Sequence, residues 1–187
     1  MACFKYVQGD RRIPCGAPTA SFLNAPKGAK IINEAQIASY TVASNYAKIT
    51  RVTGAAAAAE LETANNSLIV NVALKGGEMY PQLWDVSIEF SFFQGNILST
   101  ALGMADGAGT NARCVFAVDH GNGQYRVYGL GNPLDCLSCE GASNGNGYLR
   151  TTFGVEDWQT GTTIYMLDKA SYDALSNPVS GGGDTES

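Results

Sequence analysis

The stretch Leu83–Phe93 constrains the fold of this chain more than any other. Trp84, Val86, Ile88, Phe90 and Phe92 fall on one side of a period-two pattern, and Asp85, Ser87, Glu89 and Ser91 on the other. A helix would mix the two sets, and a strand buried on both faces would not place a polar residue at every second position. The pattern belongs to an antiparallel strand with one face on a core and one toward solvent or a lumen. The rest of the chain must then supply its pairing partners and the layer that covers its apolar face.

The clearest hairpin of the chain opens the stretch Ala112–Trp158. Cys114, Phe116 and Val118 alternate with Val115, Ala117 and Asp119. His120-Gly121-Asn122-Gly123 follows, and then Gln124–Leu130 alternates again. Asn-Gly between β-branched and aromatic runs signals a hairpin, because both residues tolerate positive φ. A third strand is expected at Tyr148–Glu156, after a Gly- and Asn-rich loop over Glu140–Gly147. Shorter strands are expected at Ile37–Val42, Tyr46–Val52, Leu68–Leu74 and Thr162–Leu167.

Two segments break the period. Asn96–Ala105 places Ile97, Leu98, Ala101, Leu102 and Ala105 at helical spacing behind a capping asparagine. Gly54–Asn66 holds five alanines that favour helix, but its length and its strand neighbours favour a loop ordered against a partner. Ser171–Leu175 is read as a short helical turn. The expected fold class is mainly β: an antiparallel β-sandwich or rolled barrel with one flanking α-helix. Residues 1–28, with Pro14, Pro18 and Pro26, read as an N-terminal arm, 29–176 as one domain, and 177–187 as a flexible C-terminal tail.

Composition limits what such a domain can do. The chain has 187 residues, and 45% of them are apolar, which is enough for a core. Only 16% are charged and the net charge is −5, so a basic patch for gripping nucleic-acid phosphates is not expected. No apolar run is long enough to span a membrane, and the N-terminus carries no leader pattern. Five cysteines, an odd number, are expected to be thiols in a reducing cytoplasm.

The chemical candidates are weak. Cys136-x-x-Cys139 has the spacing of a zinc or redox pair, but zinc needs two further ligands, and only Cys3, Cys15, Cys114 and His120 are on offer. The expectation is no metal, with Cys136 and Cys139 as small, partly buried thiols. His120, the one histidine, is expected as an exposed turn residue. Glu156-Asp157, near Asp119 and Asp135, has no evident groove for glycoside chemistry. The glycines follow turn logic and precede no Lys-Ser/Thr helix start, so no phosphate loop is read. No cofactor, catalytic residue or enzymatic activity is expected.

Taken together, the long strand Leu83–Phe93, the helix Asn96–Ala105, the hairpin Arg113–Leu130 and a strand ending in Val155-Glu156-Asp157 resemble the core of phage tail tube proteins. Asp119-His-Gly-Asn-Gly-Gln-Tyr125-Arg-Val-Tyr-Gly129-Leu-Gly-Asn-Pro133 is similar to the hairpin and exit of that core in tailed phages of Bacteroides-like gut hosts. The resemblance covers roughly Leu68–Leu167. It implies a subunit that closes into a homo-oligomeric ring, usually hexameric, and stacks into a tube through which genomic DNA passes without specific binding. Its partners would be itself and other virion proteins, with no membrane, in a virion assembled in a bacterial cytoplasm. By position, Gly54–Asn66 and the N-terminal arm would join one ring to the next. Other virion parts (a head–tail connector, capsid decoration or minor tail protein) stay open. So does a monomeric carbohydrate-binding sandwich using Trp84, Tyr125, Tyr128, Tyr148 and Trp158.

Overall fold

The computed structural model describes residues 26–61, 67–74, 84–93, 113–121, 123–141, 148–155 and 162–180. Among the described residues, eleven strands form two sheets. Sheet A has the order β2-β3-β11-β8-β7-β1-β4 and sheet B the order β5-β6-β10-β9. The strands of sheet A are β1 (Gly28–Asn33), β2 (Ile37–Ala43), β3 (Tyr46–Arg51), β4 (Ala59–Leu61), β7 (Cys114–Asp119), β8 (Tyr125–Tyr128) and β11 (Ile164–Leu167). Sheet B contains β5 (Ile69–Leu74), β6 (Trp84–Phe93), β9 (Asp135–Gly141) and β10 (Tyr148–Gly154). Every pairing is antiparallel except the single contact Met166↔Tyr46, where β11 runs parallel to β3.

The mainly β, two-sheet architecture expected from the sequence is present. Both sheets are open, so the rolled-barrel form is set aside. The expected helix over 96–105 lies outside the described residues. The α-helix among the described residues is α1 (Lys169–Ala174), close to the expected turn over Ser171–Leu175. Its N-cap is Asp168, whose carboxylate accepts from the Ser171 N–H at 2.6 Å.

The strand β6 behaves as its pattern requires. Val86, Ile88 and Phe90 are buried, while Asp85 is exposed. Between the sheets they meet Ala29 and Ile31 of β1, Phe116 and Val118 of β7, Tyr128 of β8 and Phe153 of β10. Phe90 stacks on Phe153 at 5.9 Å, and Phe116 meets Phe153 edge-on at 5.0 Å. Such aromatic pairs stabilise by about 0.5–1.5 kcal/mol each beyond the area they bury.

The β7–β8 hairpin has a second buried face. Val115, Ala117 and Val127 join Ile32, Ala47, Leu130, Leu167 and Leu175 in a separate core on the far side of sheet A. The C-terminal helix and the β3–β4 connection form the cover there. Sheet A is thus sandwiched locally between sheet B and a thin helical layer, which is why β7 is buried from Cys114 to Val118 with no solvent face.

After β8 the chain changes sheets. Gly129 (φ +85°) and Gly131 (φ +88°) turn it, and Leu134 then touches β7 again through Cys114 before β9 enters sheet B. A side chain at position 129 would press within 3.1 Å of the Cys114 carbonyl oxygen, so glycine fits the crossing for space as well as for φ. The third strand expected after the hairpin, β10, pairs with β6 and β9 and lies in the opposite sheet.

Candidate functional site: the sheet edges and the C-terminal strap

Of the residues singled out for chemistry, Cys114 and Cys136 share the inter-sheet core, and the others among the described residues are dispersed. Among the described residues, no three His, Cys, Asp or Glu side chains gather at metal-binding range. Cys136 is half-buried at the start of β9, and its backbone pairs with Phe153; Cys139 pairs with Thr151 across a bulge that leaves Leu137 between them. Cys3, Cys15, Glu156 and Asp157 lie outside the described residues. Asp119 caps the hairpin turn through the Gly121 N–H at 2.6 Å, while Asp135 sits 3.6 Å from the Arg113 guanidinium. These two carboxylates serve different local structures.

His120 departs from its expected exposed position. It is 1% exposed, and its Nε2 lies 2.7 Å from the Tyr128 hydroxyl. The turn proper begins at Gly121, because the His120 N–H still donates to the Gln124 carbonyl at 2.8 Å and closes the ladder. The histidine is therefore the last paired residue of the hairpin and points inward. Tyr128 is fully buried, and burial pushes its phenol well above the ordinary value despite the opposing Arg126 charge. Tyr125 is half-buried with its ring 4.6 Å from that of Tyr172. Tyr128 presents no face for stacking a sugar, and the Tyr125 ring is engaged by Tyr172.

Two edges of sheet A carry the features that sequence reasoning did not isolate. Along β2, six of seven residues are exposed, Tyr40 and Val42 among them. Tyr46 on β3 and Met166 on β11 are also exposed, on the opposite face of the sheet from Tyr40 and Val42. The turn is Ser44-Asn45, both at positive φ (50° and 68°), the geometry that keeps a two-residue hairpin flush with the strand twist. The strand sequence Ile37-Ala-Ser-Tyr-Thr-Val-Ala43 contains no charge and no proline.

The opposite edge is β4, three residues long, with Ala59 and Glu60 exposed and the C-terminal segment beside it. The β3–β4 connection, where the sequence favours a loop, is irregular over Gly54–Ala58 and ordered against the chain's own C-terminal segment. The Ala58 N–H donates to the Leu175 carbonyl, and the Val179 N–H donates to the Ala55 carbonyl, both at 2.9 Å. Arg51 donates to the carbonyls of Ala56 and Asn177, and Ser176 donates to Glu60. Lys30 reaches up from β1 with its side chain 7% exposed, donates to the Tyr172 carbonyl at 2.9 Å and lies 4.1 Å from the Tyr172 ring centroid. Burial pulls the Lys30 ammonium below its ordinary pKa, partly opposed by Glu60. The Tyr172 phenol is pushed up to about 12, mainly by burial and then by Asp119 and Glu60.

Comparison with known proteins finds no match: no family model fits the chain, and no curated protein or solved structure is significantly similar to it.

Proposed function

We propose that this chain is a non-enzymatic structural protein of a virion, a tail tube subunit whose rings stack around a channel that passes DNA. The observation that carries the reading is the bare β2 edge. An exposed edge strand invites pairing with another chain, and proteins that stay monomeric blunt it with lysine, proline, brevity or a covering segment. The β4 edge is blunted by its brevity. Among the described residues the β2 edge has none, and Tyr40 and Val42 are exposed on it. Ring closure removes such edges by setting each subunit against the next.

Charge agrees with this role. With 12 basic and 17 acidic residues, the chain lacks the excess of cations that would hold passing phosphates. Negative-stain electron microscopy of the purified protein, with light scattering over a concentration series, tests the proposal. Rings or tubes with a central hole are the expected result. Closed or solid particles would favour another virion part, such as decoration or a connector. A monodisperse monomer at every concentration would overturn self-assembly.

A further inference from the structure

The sheet-crossing segment brings together two thiols that the sequence spacing does not pair. Cys114 opens β7 in sheet A, and Cys136 lies at the start of β9 in sheet B. Between them, the Cys114 N–H donates to the Leu134 carbonyl at 2.9 Å and the Leu134 N–H donates back at 2.8 Å. This is a reciprocal antiparallel pair, so the side chains of Cys114 and Leu134 share a face. Cys136, two residues beyond Leu134, returns to that face. Cys114 and Leu134 belong to the inter-sheet core, and Cys136 packs against it.

We propose that Cys114 and Cys136 form an oxidisable thiol pair whose disulfide fastens sheet A to sheet B at the crossing. Diagonal neighbours of this kind have Cα atoms about 7–8 Å apart with Cβ atoms closer. A disulfide needs about 4.4–6.8 Å between Cα atoms, so the start of β9 closes on β7 by about 1 Å. Both residues stand as thiols in the structure.

The roles of the two sulfurs follow from burial. Cys136 is half-buried and can meet a small disulfide oxidant such as oxidised glutathione. Its thiolate attacks one glutathione sulfur, expels the other as a thiolate and forms a mixed disulfide. Cys114 then loses its proton, attacks the Cys136 sulfur and expels the second glutathione. Two protein thiols become one disulfide, and one glutathione disulfide becomes two glutathione thiols. Burial, with Cys136 and Asp135 nearby, pushes the Cys114 thiol up to about 12, so this second step is the slow one.

The test uses the full chain and its C3S/C15S/C139S variant, each treated with oxidised glutathione. The expected product is a monomer lacking two hydrogen atoms, with a Cys114–Cys136 peptide in a non-reducing digest. Its melting temperature should rise by about 5 °C and fall back on treatment with dithiothreitol. A C136S chain should give neither the link nor the rise. A glutathione adduct on Cys136 that never resolves would overturn the proposal. If the triple variant does not fold, the wild-type digest decides: a Cys114–Cys136 peptide supports the pairing, and a Cys136–Cys139 peptide overturns it.

Discussion

The two edges of sheet A face the same physical hazard and treat it in opposite ways. At β4 the exposed backbone is three residues long, lies beside Glu60 and is bordered by a helix, a buried lysine and a set of hydrogen bonds from Leu175 to Val179. At β2 the backbone is seven residues long, uncharged, and exposed along nearly all its length. Among the described residues, sheet A thus has the C-terminal segment beside one edge and no strand paired to the other. The two edges differ in length and in charge: β4 has three residues with Glu60 among them, and β2 has seven with no charge.

Three experiments act on this contrast. The largest effect belongs to the β4 edge. Leu175 is 4% exposed and joins α1 to the core on the far side of sheet A. Leu175→Ala should cost about 2–4 kcal/mol in chemical denaturation, through lost burial and the cavity left behind. A loss near zero would mean that the C-terminal segment does not hold that edge.

A smaller effect is read from pH. The Tyr172 phenol has an ordinary value of 10 and is raised to about 12 in the folded chain. A raised folded pKa stabilises below the unfolded value, and the contribution is lost as pH rises through the folded one. The β4 edge should therefore weaken between about pH 10 and 12. Tyr172→Phe keeps the ring over Lys30 and against Tyr125 but removes the titration. Thermal melts should show a flatter alkaline limb for the variant, and parallel limbs would refute the assignment.

The smallest effect on folding is expected at the open edge. Val42→Lys should change monomer stability by no more than about 0.5 kcal/mol, because the side chain is already exposed. The same change places a charge on the bare strand and should abolish rings or higher species in light scattering. Unaltered assembly with Val42→Lys would separate β2 from the self-association surface.

The sequence carried the strands whose two faces differ. The alternation in β6 and the Ser44-Asn45 turn between β2 and β3 are visible because one set of residues is polar and the other is not. By contrast, β1 was hidden because Ala29–Ile32 is buried on both faces, with Lys30 interrupting an otherwise apolar run. A bulge at Leu137 hid β9, since one extra residue breaks the period of two. Three residues are too few for β4 to show any period at all. Assignment of β9 and β10 to a different sheet from β7 and β8 depends on Gly129 and Gly131, which read equally well as a hairpin exit. The open edge itself was hidden for a related reason: Ile37–Val42 reads as a strand, but nothing in a strand pattern says that its outer neighbour is missing.

The place of β11 fixes the order in which this molecule can be completed during synthesis. It lies between β8 and β3, so the β2–β3 hairpin is joined to the rest of sheet A only through a strand drawn from residues 164–167. A ribosome releases the hairpin more than a hundred residues before that connector. During that interval the exposed strand of the hairpin has no seat in the sheet. Pairing across such sequence distances is slow relative to local hairpin closure. Sheet A therefore reaches the order β2-β3-β11-β8 only after residues 164–167 have been made, and until then β3 as well as β2 presents an unpaired edge.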